Sequence, residues 1–154
     1  MDQLENRSTD DSERIRTLLS GSGYSDKAIA YYLDRADIGS LADADQETEL
    51  TGACGDTMKF YLKIEQGRVN DVKAQVSGCP GTVAAAMAAA NFVRGKALED
   101  ALALNDRDVF RVLEEIPDQK QHCIRLAVKT LQKAITEYRA REKANYKENN
   151  HAYF

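Results

Sequence analysis

The stretch Met58-Lys59-Phe60-Tyr61-Leu62-Lys63-Ile64-Glu65 decides how this chain is read, because Met58, Phe60, Leu62 and Ile64 alternate with Lys59, Tyr61, Lys63 and Glu65. Successive side chains of a strand point to opposite faces, so a period of two predicts a strand with one face buried. Gln66-Gly67 turns the chain, and Val72, Ala74 and Val76 alternate in a second strand. Val69 is out of phase with Val72, which predicts a bulge or a late start. Gly78-Cys79-Pro80-Gly81 then ends the strand and opens a helix, proline being suited to a helix's first turn.

Outward from this pair the chain reads as helices. The alanine-rich helix runs to about Arg94 and is stopped by Gly95. Asn105 or Asp106 caps another, with Val109, Leu113 and Ile116 inward, and Pro117-Asp118 breaks it. In the last helix Cys123, Leu126, Ala127, Thr130, Leu131, Ala134, Ile135 and Tyr138 share one stripe, and beyond Arg139 the sequence is polar and is expected to fray. Upstream, Ser25 or Asp26 starts a helix with Ile29, Tyr32, Leu33 and Ala36 on one face, and residues 38–46 read as a connector. Residues 1–23 read as a flexible arm with one helical turn, 24–140 as the domain, and 141–154 as a polar tail. The fold class that follows is α+β, a small antiparallel sheet with helices packed on one face.

The 154 residues fit one domain, and 43% hydrophobic with 30% charged residues is ordinary for a soluble globular protein. A net charge of −4 argues against a nucleic-acid footprint. The apolar run Val83–Ala90 is far too short to cross a bilayer, and the acidic Met1–Glu13 is unlike a signal peptide. A cytoplasmic location is therefore expected. Three cysteines cannot pair completely within the chain, which favours reduced thiols.

Each cysteine sits at the end of an element. Cys54 lies between Gly52 and Gly55, where backbone can approach a bulky group, and Asp56 two residues on points the same way in extended chain. Cys79 occupies a strand-to-helix corner, within reach of the following helix's free N–H groups. Cys123 follows His122 near a helix start, with Lys120 close by, which predicts a lowered thiol pKa. Any one of these cysteines alone reads as well as a small buried apolar residue. Together they offer three sulfurs and one open position that Asp56 or His122 could fill. Thiolates select zinc or iron–sulfur chemistry, and spacing without a CxxC pair leaves those two tied.

Ala53-Cys54-Gly55-Asp56, Ser77-Gly78-Cys79-Pro80-Gly81 and Lys120-Gln121-His122-Cys123 resemble, in order, the three signature segments of IscU/NifU-type iron–sulfur scaffold proteins. The resemblance spans about Tyr24 to Tyr138, with Gly95-Lys96 and Asn105 included. It implies the IscU/NifU N-terminal fold, which is SufE-like. It also implies that Cys54, Asp56, Cys79, His122 and Cys123 bind the cargo, with Cys123 as persulfide acceptor and Lys120 assisting. Such proteins take sulfur from a cysteine desulfurase and iron from an iron or electron donor protein. They build a transient 2Fe–2S cluster and pass it to acceptor apoproteins; zinc can occupy the same site. The resemblance thus implies a scaffold rather than an enzyme, as monomer or homodimer, without nucleic acid or membrane partners.

Two segments depart from the family. Asp34-Arg35-Ala36-Asp37-Ile38-Gly39 stands where an Asn-Pro-Arg-Asn-type stretch is expected, and Glu115-Ile116-Pro117-Asp118-Gln119-Lys120 replaces Leu-Pro-Pro-Val-Lys. Handover through the dedicated chaperone pair is in doubt on that account. Two other classes compete with the scaffold. A zinc-stabilised binding domain would use the same residues. A thiol enzyme with Cys123 as nucleophile and His122 as base ranks last, because neighbours on a helix point about 100° apart.

Overall fold

The computed structural model describes the backbone of residues 2–151 and the side chains of residues 11–147. Strands β1 (Gln46–Thr51), β2 (Thr57–Glu65) and β3 (Arg68–Ser77) form one antiparallel sheet in that order. Central Phe60 stands opposite Thr48 on one side and Ala74 on the other. The alternation of β2 becomes its burial: Met58, Phe60, Leu62 and Ile64 lie in the core. On the opposite face Lys59 pairs with Glu47 at 3.4 Å, and Tyr61 donates to Gln75 Oε1 at 2.8 Å.

The hairpin and its irregularity follow from local chemistry. Gln66 and Gly67 have φ of 52° and 72°, the left-handed pair that a two-residue hairpin requires. The register slips between Lys63 and Ile64, so Leu62 faces Val72 while Ile64 faces Val69. That bulge is what the phase of Val69 predicts.

Helix α3 (Pro80–Val93) is buried from Gly81 to Ala90 on every side, as an apolar helix without a polar face must be. Its alanines allow close approach of α2 (Asp26–Asp34), β3 and the long α6 (Gln121–His151), which also covers β1 and β2. Short α4 (Leu98–Leu102) precedes α5 (Asp106–Leu113). Asn105 caps α5 by accepting the Asp108 N–H at 3.0 Å while the Asp108 carboxylate takes the Asn105 N–H at 3.1 Å. Buried Asp37 binds Arg94 at 2.5 Å and Lys73 at 3.5 Å, joining the segment after α2 to β3 and the end of α3. No described helix is long and apolar enough to cross a membrane.

Several stretches differ from expectation: α2 ends at Asp34, with Arg35 in the left-handed region, so Ala36 lies beyond the helix and is exposed rather than on its inward face. Where one helical turn is predicted in residues 1–23, helix α1 spans Asp2–Gly21. It is closed by Ser22 and Tyr24 N–H bonds to Leu19 O, both at 3.1 Å, and Leu19 packs on the core. Strand β1 follows the predicted connector. Its inward positions Gln46 and Thr48 are polar, with Gln46 Nε2 donating to Thr48 Oγ1 at 2.9 Å, so no apolar alternation announces it. Helix α6 continues past Arg139 to His151 in a stretch rich in good helix formers, exposed from Arg139 to Lys147. Met1 and residues 152–154 of the predicted arm and tail lie outside the described residues.

Candidate metal centre

The connection between β1 and β2 carries Cys54 and Asp56. The Gly52 N–H bonds Asp56 O at 2.8 Å, and the Gly55 N–H bonds Gly52 O at 3.0 Å. Gly55 makes the bend possible with φ of 88°. At Gly52 an added Cβ would come 3.3 Å from Leu126 Cδ2, so the connection lies directly against α6. Cys54 is exposed.

Cys79 is the N-cap of α3. Its backbone is extended, and its carbonyl accepts the N–H groups of Thr82 and Val83 at 3.0 and 3.2 Å. His122 and Cys123 open α6, which is entered through Pro117 and the 3₁₀ turn Asp118–Lys120. His122 faces solvent, whereas Cys123 is 1% exposed.

These ends converge. The donor atoms of Cys54, Asp56 and His122 lie within 4.8 Å of one another, and so do those of Asp56, Cys79 and Cys123. Asp56 belongs to both groups. The sulfurs of Cys79 and Cys123 are 3.9 Å apart, and His122 Nε2 lies 3.6 Å from Cys123 Sγ. The two side chains thus come into contact although neighbours on a helix point about 100° apart. All five residues expected at the site are thus brought together, and Lys120 stands at its edge, its charge acting on Cys79.

Three further residues shape the site and carry no sequence signal as ligands. Thr82 Oγ1 lies 2.6 Å from Asp56 Oδ2, 3.3 Å from Cys79 Sγ and 3.4 Å from Cys123 Sγ. Its place three residues after Cys79, on the same helix face, is the one hint available in the sequence. Gly78 leaves room for that contact: an added Cβ would fall 2.8 Å from Asp56 Oδ2 and 2.9 Å from Thr82 Oγ1. Tyr24 closes the floor, its hydroxyl 3.2 Å from where a Gly81 Cβ would sit. Burial and the neighbouring thiols Cys79 and Cys123 push the Tyr24 phenol up to about 12.

The thiols are not equivalent. Burial raises the Cys79 pKa, but bonds from the Thr82 hydroxyl and from the Thr82 and Gly81 backbone, with the Lys120 charge, bring it below its ordinary value. Burial pushes Cys123 up to about 12; the Thr82 hydroxyl opposes this, and Cys79 and Asp56 add to it. The expected low pKa of Cys123 is therefore corrected. The helix start and Lys120 are where the sequence puts them, but the thiol is sunk beneath the other donors, where desolvation dominates. Asp56 is held below the ordinary aspartate range chiefly by Thr82, against some desolvation, with Cys54, the Cys79 backbone and His122 assisting.

The signature of the NifU-like N terminal domain family matches residues 23–145. The chain belongs to the NifU-like N-terminal domain family. It is 35% identical over 116 residues to "Iron-sulfur cluster assembly scaffold protein IscU 1" of Archaeoglobus fulgidus, covering 75% of this chain and 76% of that one. It is 32% identical over 126 residues to "Iron-sulfur cluster assembly scaffold protein IscU" of Escherichia coli K12, covering 79% and 98%. The N-terminal NifU-like protein of Brucella abortus has the same fold, with a TM-score of 0.61 at 21% identity over 75% of this chain and 94% of that one. Within this NifU-like chain the donor set suits thiophilic metals, with one harder carboxylate among soft thiolates.

Proposed function

We propose that this protein is a scaffold on which a labile 2Fe–2S cluster is assembled and from which it passes to acceptor apoproteins. One observation carries the reading: three free cysteines, a carboxylate and an imidazole from three separate connections converge in two groups that share Asp56. The relatives named as iron–sulfur scaffolds support it. A site closed by four thiolates would hold its cargo firmly. Here Asp56 and His122 supply weaker corners beside Cys54, Cys79 and Cys123, which suits cargo that must leave.

Sulfur enters in this reading as the persulfide of a cysteine desulfurase. The Cys123 sulfur attacks the outer sulfur, the S–S bond breaks, and the desulfurase thiolate departs. The Cys123 proton passes to His122 Nε2, 3.6 Å away. Two electrons from an iron or electron donor protein then reduce each transferred sulfur to sulfide. Because Cys123 lies under the Cys54–Asp56 turn, delivery requires that turn to move aside. Lys120 assists by its charge at the rim. Three free thiols suit the reducing cytoplasm.

The test is anaerobic incubation of the protein with ferrous iron, a cysteine desulfurase and cysteine. A red-brown protein with iron and acid-labile sulfide in equal amounts is expected. Colourless protein that takes up zinc alone, and unfolds when zinc is stripped, would replace the scaffold with a zinc-stabilised binding domain.

A further inference from the structure

We propose that Thr82 is a positioning residue of the metal centre, holding the Asp56 carboxylate turned toward Cys79 and Cys123. The inference rests on the reading of this cluster as a metal site, and it adds a residue outside the five donors. Thr82 is fully buried and is the one polar side chain among residues Gly81–Ala90, all of which are buried. Valine would fill the same space, so packing does not account for the hydroxyl. Its partners do.

A hydroxyl has one proton to give and lone pairs with which to accept. The Asp56 oxygen at 2.6 Å is its closest partner and falls in the range of charge-assisted O–H···O bonds. While both thiols keep their protons the hydroxyl points to Asp56 and they donate to Oγ1 at 3.3 and 3.4 Å; once either is a thiolate it competes with Asp56 for that one proton. Asp56 sits on a turn between exposed Cys54 and Gly55 on one side and the start of β2 on the other. The bond to Thr82 ties that turn to the first turn of α3, the element that also carries Cys79. A carboxylate accepts at about four lone-pair positions, so one bond to Thr82 leaves others for a cation. Gly78 completes the arrangement, because any side chain there would occupy the space in which Asp56 and Thr82 meet. Partners that orient a metal ligand from behind are worth about 10–100-fold in metal affinity.

The test is titration of the full chain with cobalt(II) alone, read by thiolate-to-cobalt charge-transfer absorption. Thr82→Ser, Thr82→Ala and Asp56→Asn are compared with the parent, and both Thr82 changes are repeated in the Asp56→Asn background. Thr82→Ser should bind within about 3-fold of the parent and Thr82→Ala about 10-fold more weakly. In the Asp56→Asn background the difference between Ser and Ala should shrink below about 3-fold, because the residue acts through Asp56. Serine and alanine both lack the methyl group, so any packing defect cancels in their ratio. Equal binding by the Ser and Ala variants would overturn the proposal, as would a loss of about 10-fold that persists without Asp56. Cobalt binding needs no sulfide. A parent that binds cobalt through its thiols but assembles no cluster would refute the scaffold and leave Thr82 standing, whereas the Ser–Ala comparison refutes Thr82 alone.

Discussion

Replacing Gly78 with alanine places a methyl carbon 2.8 Å from both Cγ and Oδ2 of Asp56 and 2.9 Å from Thr82 Oγ1. Carbon atoms in proteins pack at about 3.5–4.0 Å, so a shift of roughly 0.7 Å or more is forced. Gly78 lies outside the left-handed region, so alanine is not strained by its backbone; the cost is the collision alone. Thr82 is packed within α3 and cannot retreat, so Asp56 must yield and lose its bond to Thr82. Overpacking of this kind costs about 1–3 kcal/mol. With a urea dependence near 2 kcal/mol/M, the unfolding midpoint should fall by about 0.5–1.5 M. Cobalt affinity should fall by about 10-fold as the carboxylate leaves its place. Gly81→Ala is the control. Its new carbon meets the Tyr24 hydroxyl at 3.2 Å, Lys120 Cβ at 3.3 Å and Cys123 Sγ at 3.6 Å, of which the first two can give by tenths of an ångström. A helical glycine replaced by alanine gains up to about 1 kcal/mol, so that variant should stay near the parent. A Gly78→Ala protein with the parent's midpoint and affinity would refute the reasoning, as would equal damage from both changes.

Alkylation of the metal-free protein at pH 8 should modify exposed Cys54 and half-buried Cys79 while Cys123, pushed up to about 12, reacts at least about 10³-fold more slowly; mass mapping that finds Cys123 among the first sites labelled would contradict its burial. Persulfide delivered by a desulfurase should nevertheless map to Cys123, and finding it on Cys79 alone would transfer the acceptor role to the thiol with the lowered pKa. Asp56 is held below its ordinary pKa, so its contribution to stability is complete above about pH 4 and is lost as pH falls through the folded value. The parent's stability relative to Asp56→Ala should therefore be flat from pH 5 to 8 and decline below about pH 4; a difference that stays constant down to pH 2 would deny the linkage. Once loaded with cluster, Asp56→Ala should surrender it to an acceptor more slowly than the parent, and faster loss would make Asp56 an anchor.

What could be seen in the sequence was whatever repeats along one element. Met58, Phe60, Leu62 and Ile64 betray β2 because each is apolar and each points inward, and the phase of Val69 betrays the bulge because register errors invert faces. Pro80, Asn105 and the Cys123–Tyr138 stripe mark helices for the same local reasons. Strand β1 is not announced by the sequence because it buries Gln46 and Thr48, joined by the bond from Gln46 Nε2 while Gln46 Oε1 is left without a partner, where apolar alternation would place valine and isoleucine. The five donors were legible by residue type and by their places at element ends. What was not legible is depth, and depth decides the chemistry of the site.

Cys79 and Cys123 illustrate the point, since both begin helices and both lie near Lys120. By local rules each thiol should be acidified, Cys123 the more so with His122 beside it. The fold separates them: Cys79 is half-buried and takes backbone N–H groups and the Lys120 charge, whereas Cys123 lies below it with two negative neighbours. Thr82, unremarkable as a residue in an alanine-rich helix, reaches both sulfurs and Asp56 only because the β1–β2 turn, α3 and α6 end at one place. A protein that only stored its cargo would gain from placing every donor at one depth. The gradient from exposed Cys54 through half-buried Cys79 to buried Cys123 instead gives the site an entrance and a floor, with Asp56 common to both groups of donors. In the scaffold reading proposed above, cargo arriving or leaving on the solvent side would meet Cys54, Asp56 and His122, while Cys79 and Cys123 are held at helix starts. An exchangeable outer edge on a fixed inner one is what assembly and release together require.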